Sequence, residues 1–126
     1  MIEVTLRDII EGSEQMRQLM DVPLKSSVAY QIARLAREME KELKTFDEAR
    51  TKLVQKHGKK DKNGQLIIDE NNQYTIEPNN IEQFNEEINE LFNTKVELNV
   101  NLIKLNDLDC QLSPKKIVQL MPFIEE

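Results

Sequence analysis

Between Ser27 and His57, apolar or weakly polar residues return at Val28, Ile32, Leu35, Met39, Leu43, Phe46, Ala49, Leu53 and His57, in steps of three and four, with no Gly or Pro between them. That spacing lays one continuous stripe along an α-helix. The stripe advances by slightly more than 3.6 residues per turn, so it stays on one side without demanding a left-handed supercoil. Leu24 lies four residues before Val28, so the helix is expected over about 24–57, with Gly58 supplying a left-handed cap. On the opposite face Glu40, Lys44, Glu48 and Lys52 alternate in sign at i to i+4, the pattern of a solvated surface.

Shorter patterns flank this helix. Ile2, Val4 and Leu6 alternate with polar residues as in an edge strand, and Thr5 with Asp8 three residues on forms a capping box. Leu6, Ile9, Ile10, Ser13, Met16, Leu19 and Met20 then predict a helix over about 6–20 that contains Gly12. Gly costs a helix about 1 kcal/mol relative to Ala, so this one is expected to rely on packing. After Gly58 a polar, turn-rich link leads to two strand-like runs, 65–68 and 73–76, joined by Asp69, Glu70, Asn71 and Asn72; they predict a hairpin over about 65–76. Asn80 is placed to cap a helix over about 81–93, whose apolar side is Ile81, Phe84, Ile88, Leu91 and Phe92. Strict alternation of Val96, Leu98, Val100 and Leu102 predicts a half-buried strand over about 95–102, the expected partner of the hairpin. Ser113 and Pro114 open a short helix over about 114–121, stopped by Pro122. No internal repeat or dividing linker is evident, so the expectation is one domain over 1–126, α+β and predominantly α, with a small antiparallel sheet.

Composition narrows what such a fold can do. The formal net charge is −6 and charged residues make up 32% of the 126 positions, which disfavours a surface built to track nucleic acid. Trp is absent and aromatics are 5%, leaving few platforms for base stacking. A single cysteine, Cys110, permits no intrachain disulfide. The first ten residues lack the basic flank and apolar run of a signal peptide, and no run of about 18 apolar residues occurs. The expected location is the cytoplasm.

No spacing of reactive side chains points to catalysis. Lys59 to Glu70 can be aligned with a 12-residue calcium loop, placing Asp61, Asn63, Gly64 and Glu70 correctly, but Lys59 stands where the first acidic ligand belongs. The stretch is therefore read as the approach to a hairpin. One histidine and one cysteine exclude zinc cages, and His57 on the apolar helix face and Cys110 are read as ordinary packed residues. No metal site, cofactor or catalytic residue is expected, and the chain is read as a non-enzyme. Lysines crowd the end of the long helix, followed by an acidic stretch from Asp69 to Glu90 that contains no Lys or Arg. Lys52, Lys56, His57, Lys59, Lys60 and Lys62 are thus the candidates for holding an anion or an acidic partner. A helix of residues 27–57 would span about 45 Å, against a diameter of about 35 Å for a compact domain of this size. One end of its stripe is therefore expected to outrun a compact monomer. Either the third helix and the hairpin lie along it in an elongated fold, or a second subunit or foreign protein covers it. Homo-oligomerisation is the commoner solution, with Met39, Leu43, Phe46 and Leu53 as the candidate oligomer face.

The order of LRDII, VAYQIARLAREMEKELKTFDEARTKLVQKHG, FNEEINELFNTKVELN and LSPKKIVQLMPFIEE resembles a group of small phage and prophage proteins of low-GC Gram-positive bacteria, a family of unknown function. The resemblance covers most of the chain and brings no active-site residues. It implies a phage context and a non-enzymatic role; within that context the preferred reading is a protein–protein interaction, assembly or accessory factor in the host-cell cytoplasm, with self-association expected from the length of the stripe. The alternative it leaves open is immune evasion, by blocking a host defence protein or sequestering a small anionic nucleotide signal.

Overall fold

The computed structural model describes residues 1–126. Its order is β1 (Ile2–Thr5), α1 (Leu6–Leu19), α2 (Ser26–His57), α3 (Ile81–Phe92), β2 (Lys95–Leu98), β3 (Ile103–Lys104), α4 (Pro114–Leu120) and β4 (Ile124–Glu125). The fold is α+β and predominantly α, with α2 as its long helix. Contacts group the chain into two compact units, one of residues 1–43 with 94–126 and one of residues 44–93.

In the first unit, α1 begins as its sequence dictates. Asp8 N donates to Thr5 Oγ1 and Thr5 N donates to Asp8 Oδ2, both at 3.1 Å, a reciprocal capping box that satisfies helix-end amides. β1 pairs antiparallel with β2 from Ile2 opposite Leu98 to Thr5 opposite Lys95. The strand predicted at 95–102 therefore pairs with the N-terminal strand and not with the hairpin, and its pairing stops at Leu98. Its alternation survives as burial, for Leu98 and Val100 are both in the core. β3 and β4 pair in parallel, Ile103 opposite Ile124. Around these elements Ile9, Met16, Val28, Ile32, Leu35, Met39, Leu120 and Phe123 are buried. Gly12 is a point of close approach between α1 and the end of α4 with the turn that follows it: a Cβ there would lie 2.8 Å from Phe123 Cε2 and 3.0 Å from the Gln119 carbonyl oxygen. The glycine that weakens α1 locally is what lets Phe123 pack against it. Ser113 Oγ accepts from Lys116 N at 3.3 Å and caps α4, whose helix gives way to a 3₁₀ turn at Met121–Phe123.

In the second unit the last turns of α2 pack on α3. Phe46 stacks on Phe92 with ring centroids 5.5 Å apart, and the His57 ring meets Phe84 edge-on at 6.1 Å. Gly58 does not adopt the left-handed conformation expected of it. It is needed for space, since a Cβ there would come within 2.5 Å of both Leu66 Cδ2 and the Val54 carbonyl oxygen. Asn80 lies in a 3₁₀ turn, Pro78–Asn80, and its side chain makes no capping bond to α3.

The apolar stripe of α2 is largely covered within the chain. Met39 is 2% exposed and Phe46 8%, while Leu43 and Leu53 are half-buried. Met39 and Phe46 are thus core residues and not an oligomer face: Met16 of α1 lines the same hollow as Met39, and Phe92 stacks on Phe46. α2 thus contributes to both units, and in the second its Phe46 is covered by α3 of the same chain, the alternative to an added subunit that its length leaves open.

Candidate functional site

The connection between α2 and α3 is a closed ring of three similar segments. Eight residues separate Asp61-Lys62-Asn63-Gly64-Gln65 from Asp69-Glu70-Asn71-Asn72-Gln73, and eight more reach Glu77-Pro78-Asn79-Asn80-Ile81. In the first copy Asp61 Oδ1 accepts from Asn63 N (2.8 Å) and Gln65 N (3.0 Å); in the second Asp69 Oδ1 accepts from Asn71 N (2.9 Å) and Gln73 N (3.0 Å). Each carboxylate thereby fixes a turn. Gly64 and Asn72, at matching positions, have φ of +79° and +64°, the left-handed region that Gly and Asn tolerate best. The third copy keeps the turn bond, Asn80 N donating to the Glu77 carbonyl at 2.8 Å, and then runs into α3.

Closure follows the same period. Antiparallel bridges join Lys60 to Leu66, Ile68 to Tyr74 and Ile76 to Gly58. At the centre Ile67 N donates to the Lys59 carbonyl (2.9 Å), Thr75 N to the Ile67 carbonyl (3.0 Å) and Lys59 N to the Thr75 carbonyl (2.7 Å), a cycle in which each residue donates once and accepts once. The hairpin expected at 65–76 is therefore one part of a three-part ring with internal repetition, which a reading of the segment as hairpin or calcium loop overlooks. The signal is present in the paired Asp-x-Asn-(Gly/Asn)-Gln turns.

Ring geometry decides where side chains go. Residues paired across an antiparallel bridge point to the same side, as do residues two apart on a strand. Gly58, Lys60, Leu66, Ile68, Tyr74 and Ile76 consequently share one face. On it Ile68 is 49% exposed and Tyr74 51%. The pair is apolar, opposed across a bridge, and held on a backbone whose central polar groups bond one another.

Two of the predicted anion candidates are joined to one carboxylate. Lys56 Nζ lies 3.1 Å from Glu87 Oε1, and His57 Nε2 lies 3.2 Å from Glu87 Oε2. Gln83 Nε2 donates to the same carboxylate at 3.2 Å. A carboxylate only accepts, so His57 Nε2 carries the hydrogen of its contact. The hydrogen bond from Lys56 and then that from His57 hold the Glu87 carboxyl below its ordinary value. His57, 2% exposed, is thus a structural residue joining α2 to α3. Lys59 and Lys60 are consecutive in an extended segment and point to opposite sides. Lys60 borders the apolar face, Lys62 projects from the first turn, and Lys52 is exposed on α2.

Cys110, in the first unit, is half-buried beside a hollow lined by Gln15, Leu19, Val22 and Leu112. No group of three His, Cys, Asp or Glu side chains is gathered as a metal site, and the Asp61 carboxylate serves its turn. No helix is long and apolar enough to cross a membrane. Comparison with protein-family models, curated proteins and solved structures finds no match.

Proposed function

We propose that this chain is a small non-enzymatic protein of a phage or prophage that works by binding another protein, as an assembly or accessory factor in the host-cell cytoplasm. The observation that carries this reading is the exposed Ile68 and Tyr74 pair on the face of the closed ring. Burying a side chain of this kind gains about 1.5–3 kcal/mol, and Tyr is enriched among the residues that dominate binding energy. The ring adds rigidity, so little conformational freedom is lost when a partner covers the face. His57 supports a non-catalytic role, because its ring is held between Glu87 and Phe84.

Immune evasion by blocking a defence protein would use the same face. Sequestering an anionic signal has less support, since Lys56 and His57 are engaged by Glu87 and the consecutive Lys59 and Lys60 point to opposite sides.

Affinity purification from infected host cells with wild type, Ile68→Asp and Tyr74→Asp tests the proposal, circular dichroism confirming that all three are folded. A stoichiometric protein partner is expected with wild type and is lost from both variants. No partner, or one retained equally by both variants, contradicts it.

A further inference from the structure

The eight-residue spacing of the ring places Lys62 and Glu70 at equivalent points of successive turns, each one residue after the turn-forming Asp. Two corners of like shape thus carry opposite charge. The first corner has Lys60 and Leu66 as its bridged pair and Lys62 at its tip; the second has Ile68 and Tyr74 with Glu70. Such a face is complementary to itself. A two-fold axis lying in the plane of the contact and passing between the two corners brings each first corner over the second corner of the other copy. Lys62 then meets Glu70 twice, and Lys60 with its apolar stem lies over the Tyr74 ring, where an ammonium is attracted to the aromatic face.

We infer that the face of the β ring docks a second copy of this chain, pairing the Lys62 corner of one copy with the Glu70 corner of the other. This rests on the reading of the face as a protein-binding surface and names its occupant. The ring is small, so the dimer belongs to the weak, reversible class of interfaces. Its backbone offers no strand addition at the centre, where Lys59, Ile67 and Thr75 already bond one another. Specificity must come from side chains, and the corner charges set which orientation is favoured and which is opposed.

Charge exchange tests the pairing directly. Lys62 and Glu70 are both exposed, and the acceptors that hold the turns are Asp61 and Asp69, so Lys62→Glu and Glu70→Lys leave the ring intact. Sedimentation velocity of the purified full chain is expected to show a concentration-dependent dimer. Each variant alone places like charges together at both symmetric contacts and weakens self-association by at least about 10-fold. An equimolar mixture of the two variants restores one Glu–Lys and one Lys–Glu contact, and with them dimerisation within about 3-fold of wild type. A wild type that stays monomeric at about 200 µM, weaker than the micromolar range expected of a specific contact, overturns the inference. So does a dimer that both variants leave unchanged, or one that mixing fails to rescue. A monomeric wild type that still captures a foreign protein through Tyr74 removes the self-pairing and leaves the protein-binding proposal standing.

Discussion

Gly12 sets two effects of opposite sign against each other. An Ala would gain about 1 kcal/mol of helix propensity, but its Cβ would press on a fully buried Phe123 ring and a backbone carbonyl. Overpacking of this kind costs about 1–3 kcal/mol, so Gly12→Ala is expected to lower the melting temperature, and a rise would contradict the packing described. Glu87 makes a pH-dependent contribution. Its folded value lies below its ordinary one, so the stabilisation is full above the unfolded value of about 4.5 and is lost as pH falls through the folded value. The difference in melting temperature between wild type and Glu87→Gln should be present at neutral pH and shrink in acid. A difference that is constant from pH 7 to pH 3 would count against the Lys56 and His57 contacts as its source.

Among the elements, the ring makes a quantitative demand, because its first two turns are built alike. Asp61→Ala and Asp69→Ala each remove one oxygen that accepts from two backbone amides. Each should cost about 1–2 kcal/mol, and the two costs should agree within about 0.5 kcal/mol. Chemical denaturation of the variants measures this, and a large inequality would show that the repeat is one of sequence only. The helices are legible in the amino-acid sequence because amphipathic spacing and caps are local: Thr5 with Asp8 and Ser113 with Pro114 mark their own helix starts. The pairing of Ile2–Thr5 with Lys95–Leu98 is not legible there, since nothing in either strand names a partner some ninety residues away. The ring falls between these cases. Two of its turns repeat openly, but the third substitutes Glu77, Pro78 and Ile81 for the matching residues, so the period breaks where the chain turns into α3. Of the candidate site residues, Lys60 and Lys62 lie on or beside the ring face. Lys56 and His57 are instead joined to Glu87, a contact across thirty positions that charge counting along the chain cannot foresee.

At the scale of the molecule, charge and hydrophobicity divide labour differently from what a single stripe suggests. The apolar face of α2 is largely covered within two internal cores, and its lysine-rich end leads into a ring that presents apolar side chains between a basic and an acidic corner. The acidic character of the whole chain, net −6, opposes non-specific association, while the ring face sets an exposed apolar pair, Ile68 and Tyr74, on a backbone whose central polar groups bond one another. On this account the functional surface is the ring and not the helix.

Photo-crosslinking in infected host cells tests this claim most directly. A benzophenone side chain placed at Tyr74 is compared with one at Tyr30, which is 66% exposed on the first unit and outside the ring. A discrete crosslinked protein product is expected from Tyr74, whether with a second copy or a foreign partner, and none from Tyr30. Equal products from both positions, or a product from Tyr30 alone, would contradict it.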